Sequence, residues 1–392
     1  MKQVYLDHGA TTPIREEVTE ALLPYFSDAF GNASSIHTFG QRARKAMEDA
    51  RRRVAHVMGA GPEEIIFTSG GTESDNLAIK GIAYASQGEG KHIVTSSIEH
   101  PAVLNCCQQL EREGYEVTYL PVDKFGLVNP DSVSDALKPE TVLVSMMLAN
   151  NEVGTIQPIK EIGEITKTRS IPFHTDAVQA VGKIPIIVDD LNVDLLSISG
   201  HKIYGPKGVG VLYARKGTPI VPLMYGGSHE MGYRPGTENV ADIVGLAKAM
   251  ELADQEREDF SKRMNNLRSM LEKGIQEKIE EVQFNGHPEK RLPNISNVSF
   301  KFIDGESLLL SLDMEGIAVS TGSACSSESE ESSHVLLAMG TAPDVARGSL
   351  RFSLGRLNDA DDISYVLDVL PKAVATLRER SPLYHPRGKT KE

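Results

Sequence analysis

From Glu64 onward short apolar runs alternate with amphipathic stretches, and this alternation restricts the fold more than any other feature of the chain. Segments 65–68, 92–96, 117–122, 142–148, 171–174, 195–198 and 209–213 have the texture of buried strands. Between them, 72–85 and 102–113 carry helical periodicity. Apolar strands separated by helices predict βαβ units, hence an α/β fold with a mostly parallel sheet covered by helices. Helical patterns also span 15–25, 39–58 and, interrupted only by glycines, 237–279. Beyond that long stretch the texture changes. Residues 294–300 alternate like a half-exposed strand, and helices are expected at 305–315 and 360–378, which makes a smaller α+β unit. A chain of 392 residues can bury two cores. The expected division is a large domain over 15–260 and a small one made of 1–14 plus 261–392, with a loop at about 320–333.

Open α/β sheets bind ligands at the carboxyl ends of their strands, so the residues that follow each strand are informative as a set. The apolar run 195–198 leads into Ser199-Gly200-His201-Lys202, and Gly205-Pro206-Lys207-Gly208 then turns the chain. A lysine at the end of a buried strand is desolvated, which favours its neutral, nucleophilic amine and suits a Schiff base with an aldehyde. A Walker phosphate loop is excluded, because Pro206 stands where its lysine belongs. After 65–68 come Ser69-Gly70-Gly71-Thr72, two glycines and a helix start suited to an anion. His100 follows 92–96, Asn151 follows 142–148, and Asp176 with Gln179 follows 171–174. Singly each is an ordinary polar strand end. Together they supply what a phosphorylated, protonated ring cofactor requires.

The formal net charge of −13, from 41 basic and 54 acidic residues, argues against nucleic-acid binding through a broad basic surface. The one basic run, Arg51-Arg52-Arg53, is expected to be a solvated helix face. No run approaches the roughly 20 apolar residues of a membrane span, and the first residues lack a signal-peptide core, so the expected location is cytoplasmic. Cys106, Cys107 and Cys325 make no disulfide framework, and no cluster has metal-ligand spacing. Cys106 and Cys107 lie in a helical stretch as expected core thiols. Cys325 sits in Ser320-Thr321-Gly322-Ser323-Ala324-Cys325-Ser326-Ser327, a segment with no large apolar anchor, expected to be a mobile loop with a reactive thiol.

On these residues the chain resembles the NifS/IscS-type cysteine desulfurases, class V members of the fold-type I pyridoxal phosphate enzymes. The resemblance covers nearly the whole chain. It is carried by Ser199-Gly200-His201-Lys202-Ile203-Tyr204-Gly205-Pro206-Lys207-Gly208, Thr68-Ser69-Gly70-Gly71-Thr72-Glu73, Asn150-Asn151-Glu152-Val153-Gly154, Ser323-Ala324-Cys325-Ser326 and Arg351-Phe352-Ser353-Leu354-Gly355-Arg356. It implies pyridoxal 5'-phosphate bound covalently by Lys202, with His100 stacked on the ring, Asp176 on the ring nitrogen, and Gln179 and Asn151 on the ring hydroxyl and substrate side. It further implies that Gly71, Thr72, Ser199 and His201 hold the phosphate, joined by Thr237 from the second subunit of a homodimer. Arg351 would grip the substrate carboxylate, and Cys325 would take sulfur from L-cysteine as a persulfide for an acceptor protein in iron–sulfur cluster assembly or tRNA thiolation. Alternatives are a selenocysteine lyase or transaminase-like relative on the same fold, or a non-catalytic assembly scaffold, against which the presence of both Lys202 and Cys325 argues. Three departures from the family pattern stand out: His8-Gly9 near the site mouth, Pro235 before Gly236-Thr237, and Glu328, Glu330 and Glu331 close after Cys325. The choice of acceptor rests on a surface, which no motif encodes.

Overall fold

The computed structural model describes residues 2–321 and 332–384. Its strands are β1 (Val4–Tyr5), β2 (Ile65–Thr68), β3 (His92–Ser96), β4 (Glu116–Leu120), β5 (Thr141–Ser145), β6 (Phe173–Asp176), β7 (Leu195–Ser199), β8 (Gly210–Ala214), β9 (Val282–Asn285), β10 (Ile295–Phe300), β11 (Ile317–Ala318) and β12 (Ser349–Ser353). Seven of them form the main sheet in the order β2-β8-β7-β6-β5-β3-β4. Neighbours from β7 to β4 are parallel, while β8 runs antiparallel to both β7 and β2. The sheet is therefore mostly parallel, as the alternation predicts, and β8 alone is reversed. Its reversal follows from the short turn after Lys202, since a few residues cannot make the crossover that a parallel neighbour needs.

Both faces are covered. Ile65, Phe67, Val144, Leu196, Ile198, Val211 and Tyr213 pack in one core with the helices Thr38–Met58 and Val240–Gln255. Ile66, Leu143, Leu195 and Leu212, one residue out of phase, pack in another with Gly71–Ala85 and Pro101–Arg112. That phase shift is the period-2 geometry of a strand buried on both sides. A further core gathers Val4 and Leu6 with Val298, Phe300, Leu308, Leu350, Phe352 and Val374, over the antiparallel sheet β12-β10-β9.

Two expectations need correction. The 237–279 pattern is two helices, Val240–Gln255 and Arg257–Lys278, broken at Glu256 (φ −94°, ψ −1°). The first buries its apolar residues in the large core and the second in the small one, so the axis must change direction between them. Arg51 is also no part of a solvated face. Its side chain is 6% exposed and paired at 2.7 Å with Glu230, itself 3% exposed, while Arg52 does stay in solvent. Glu230 also accepts from the Phe67 N–H at 2.8 Å, so the pair fastens the 230 segment to β2. The sequence pattern could not reveal this, because the partner lies 179 residues away. Removing one member strands the other in a dry site. Arg51→Met should therefore cost about 3–5 kcal/mol in denaturant unfolding, with Arg51→Met/Glu230→Leu recovering part of it.

Candidate active site

The end of β7 delivers Ser199, Gly200, His201 and Lys202, the last three in a single 3₁₀ turn. Lys202 Nζ donates to the carbonyl oxygens of Gly9 and Ala10, each at 2.7 Å. The segment 7–12 is held over the sheet edge by several bonds. Thr12 N–H and Oγ1 both donate to the His201 carbonyl, at 3.0 and 2.9 Å, and Gly9 N–H donates to Ser353 Oγ at 2.7 Å. Gln179 Nε2 also donates to the Gly9 carbonyl, at 2.9 Å. One backbone oxygen thus binds both the lysine and the glutamine.

Around the lysine, His100 caps the helix Pro101–Arg112, its Nδ1 accepting from the Ala102 N–H at 3.1 Å. Burial lowers the His100 pKa, Lys202 and His334 act in the same direction, and Asp176 opposes them. Asp176 ends β6 fully buried, and desolvation raises its pKa against the opposing pull of His100, the Val178 N–H and Lys202. His201 is pushed down to about 4 by burial and the neighbouring lysines, so it is neutral, and its Nδ1 lies 3.1 Å from Thr11 Oγ1. Arg351, buried on β12, donates to the Asn151 carbonyl and to Asp7 Oδ1, both at 2.9 Å. A Cβ on Gly9 would lie 3.2 Å from the Arg351 guanidinium carbon, so only glycine lets the two pack so closely.

The opposite wall is the start of the helix Gly71–Ala85. Gly70 has φ +151°, which L side chains rarely adopt, and a Cβ on Gly71 would meet Val178 at 2.7 Å. Ser199 lies beside both glycines, and Thr72 is exposed at the helix start. The first N–H groups of that helix have no intrahelical acceptor, and the helix dipole favours an anion there. Gln179 Oε1 is buried with no hydrogen-bond partner among the described residues. A glycine-lined anion cradle, an orphaned amide oxygen, a buried carboxyl and a strand-end lysine together fit a phosphorylated pyridine aldehyde.

The structure therefore brings together Lys202, His100, Asp176, Gln179, Asn151, Ser199, His201, Gly71, Thr72 and Arg351. Thr237 is exposed, three residues beyond Arg234, which pairs with Glu73 at 3.0 Å. Cys325 and the acidic residues after it lie outside the described residues. Cys106 and Cys107 are buried free thiols; desolvation pushes Cys106 up to about 12 and Cys107 higher still, which suits core residues. Among the described residues no group of His, Cys, Asp and Glu has the arrangement of a metal site.

Several contributors have weak sequence signals or none. The Gly9 and Ala10 carbonyls have none, being backbone. Glu99 and Glu152 are the chain neighbours of His100 and Asn151. Both are fully buried, and desolvation pushes Glu99 up to about 8 and Glu152 up to about 7. They also carry the far end of the loop: Ser333 Oγ donates to Glu152 Oε2, and His334 Nε2 lies 3.0 Å from the Glu99 carbonyl oxygen. At the near end, Ser320 bridges to Arg351 through two backbone bonds.

The fold and site are those of a fold-type I pyridoxal phosphate enzyme. The chain belongs to the family described as "Aminotransferase class-V", which matches residues 4–366. It is 56% identical over 382 residues to a protein of Methanosarcina thermophila named "Cysteine desulfurase IscS", covering 97% of this chain and 94% of that one. Among solved structures it resembles a "NIFS-LIKE PROTEIN", with TM-score 0.91, 40% identity, and coverage of 96% of this chain and 100% of that one. It also resembles "SspA in complex with cysteine", with TM-score 0.80, 40% identity and coverage of 90% and 99%.

The buried carboxyls make a pH prediction. A carboxyl whose folded pKa is raised binds more protons folded than unfolded, so it erodes stability as pH climbs from its unfolded to its folded pKa. For Glu152 that window runs from about 4.5 to about 7. In Glu152→Gln the denaturation midpoint should fall less between pH 5 and pH 7 than in the unaltered protein.

Proposed function

We propose that the protein is a pyridoxal phosphate-dependent cysteine desulfurase. It takes sulfur from L-cysteine, leaves L-alanine, and holds the sulfur as a persulfide on Cys325. The observation that carries this is the convergence of Lys202, Arg351 and both ends of the cysteine-bearing loop on one sheet edge. Bound at Lys202, the cofactor supplies an electron sink that makes the substrate's α-proton acidic. The protein's own groups do the rest.

Lys202 would hold the cofactor and move protons at the substrate α-carbon, with the Gly9 and Ala10 carbonyls aiming its amine. His100 would stack on the ring. Asp176, drawn toward ionisation by His100 and Lys202, would hydrogen-bond the ring nitrogen. Gln179 and Asn151 would serve the ring hydroxyl and the substrate. Gly71, Thr72, Ser199 and His201 would receive the phosphate through N–H and hydroxyl groups. Arg351 binds the substrate carboxylate with its planar fork. The Cys325 thiolate then attacks the substrate sulfur. The S–S bond forms as the Cβ–S bond breaks, and the electron pair stays with carbon, which takes a proton to become the methyl group of alanine.

Ser320 is bonded to Arg351 and Ser333 to Glu152, so both described ends of the cysteine-bearing segment are tied beside the proposed substrate clamp. A protein acceptor in iron–sulfur cluster assembly or tRNA thiolation is the natural recipient, since a persulfide must be handed on before the next turnover. A homodimer is supported by the exposed Phe30, Ile36, Phe39, Tyr225 and Met231. They flank a groove that joins 33–34 to 228–231, where a second copy would cover apolar surface and contribute Thr237. No described helix is long and apolar enough to cross a membrane, and free buried thiols with persulfide chemistry suit the cytoplasm.

Incubation with L-cysteine should yield alanine and an adduct of about 32 Da on Cys325 by peptide mass spectrometry. Cys325→Ala should lose alanine formation by about 100-fold or more while keeping the cofactor band near roughly 400–430 nm, and Lys202→Ala should lose the band itself. Alanine release unchanged in Cys325→Ala would instead favour a lyase or transaminase-like reaction. Arg351→Lys should raise KM for cysteine about tenfold or more, because a point charge cannot make the bidentate contact.

A further inference from the structure

Beside Lys202 lies a small cavity of about 30 Å³, whose rim includes the partly exposed Glu256 and Arg356. A space of that size holds one water. Its lining includes three polar side chains that the proposed chemistry does not use: His8, Lys183 and Asn294. Among the described residues His8, 3% exposed, has no partner for either ring nitrogen, and Asn294, 1% exposed, has none for its Oδ1. Lys183, 6% exposed, donates to the Gln179 carbonyl at 2.8 Å and forms no ion pair with a carboxylate among the described residues. Burial, with Lys202 acting in the same direction, pushes it down to about 7. Orphaned polar atoms around a water-sized void are where internal water is found, because each would otherwise forgo a hydrogen bond in a dry site.

The contacts form a chain. Lys183 fixes the Gln179 carbonyl, the Gln179 side chain fixes the Gly9 carbonyl, and that carbonyl seats Lys202. His8 is bonded directly to Gly9 in sequence, and its ring is wedged against Gly355, where any Cβ would lie 2.3 Å from it. Both routes end on the same oxygen. We propose that the cavity holds a single water bound by Lys183, His8 and Asn294, and that Lys183 is a positioning residue that sets Lys202 through this water, Gln179 and the Gly9 carbonyl. The proposal deepens the desulfurase assignment and rests on it for the effect on turnover, but not for the water.

Other charges near the site are accounted for. The cavity wall also carries Arg15, Glu256 and Arg356, which pair with one another through Glu256 at 2.8 and 3.6 Å. Tyr204 donates nothing acidic there, since burial pushes its phenol up to about 12. His8 and His201 are each pushed down to about 4 and are uncharged. His100 and Asp176 also face Lys202. Among the described residues Lys183 is thus a basic neighbour of Lys202 with no carboxylate partner of its own.

Two variants test this. Lys183→Met removes the donor and the charge at nearly constant shape. Val181→Ile adds one methylene to a cavity-lining residue and displaces the water without touching charge. A high-resolution crystal structure, with or without cofactor, should show one water touching Lys183 Nζ, and neither variant should contain it. In the holoenzyme, Lys183→Met should lower kcat about tenfold or more with KM for cysteine within about twofold. The pH midpoint of the cofactor absorbance titration should move upward by about one unit, as expected when a neighbouring cation is lost. Val181→Ile should lower kcat by a smaller factor and leave that midpoint in place. An empty cavity in the unaltered protein overturns the proposal. So do kcat and midpoint unchanged in Lys183→Met, whatever its melting temperature; if that variant does not fold, unchanged kcat in Val181→Ile decides against it. Failure to bind pyridoxal phosphate would defeat the desulfurase assignment while leaving the water test standing.

Discussion

The site depends on two hydrogen bonds from Lys202 to the carbonyls of Gly9 and Ala10. An amine on a four-carbon stem has many rotamers, and a sheet edge by itself would leave it free to sweep solvent. The restraint comes from the opposite end of the chain. Val4 and Leu6 are buried in the small core, and β1 pairs with β11 there. The next residues leave that core, exchange bonds with Ser353 and Arg351, and cross to the large sheet at His201. Segment 7–12 is thus a strap between the two cores, and the lysine is aimed only when both are in place. Geometry of this kind converts folding energy into orientation, the largest contribution a scaffold makes when the cofactor carries the chemistry.

The same region is dry, and its charges are arranged accordingly. Asp75, Asp176, Glu99 and Glu152 are all buried, and desolvation raises each. His174, enclosed by Ser145 and Ser197, is pushed down to about 3 and stays neutral beside Asp75. Burial pushes these carboxyls toward their neutral form, with Asp176 drawn back toward ionisation by His100 and Lys202, and it keeps the imidazoles neutral, so a bound anionic cofactor and substrate would dominate the local field. Low dielectric then strengthens each contact to them.

Much of this was legible in the sequence for physical reasons. Buried parallel strands must be apolar on both faces, so 65–68 and 92–96 coincide with β2 and β3. Ligand groups are expected at their carboxyl ends, so Lys202, His100 and Asp176 stood out as a set of strand-end groups, though none of them singly did. What escaped notice was whatever depended on distant partners. Arg51 looked like solvated charge because Glu230 is far along the chain. The break at Glu256 was invisible because helix periodicity continues across it while the core it faces changes. Lys183 has no sequence signal, for nothing local distinguishes a lysine bonded to the Gln179 carbonyl from one in water. The carbonyls that seat Lys202 belong to backbone, which has no letter of its own.

The loop's two attachment points have a consequence for how such proteins diversify. Ser320 is fastened to Arg351 and Ser333 to Glu152, so the stretch between them can change length while both of its ends stay on fixed ground. Closing a longer flexible loop is inexpensive, about 0.6 kcal/mol for each doubling. With Cys325 as the proposed sulfur carrier, insertions there would alter how far sulfur could be carried while leaving the lysine, the cradle and the carboxylate clamp untouched. Reach, and with it the choice of recipient, would then be a modular property, separable by inheritance from the chemistry that loads the sulfur.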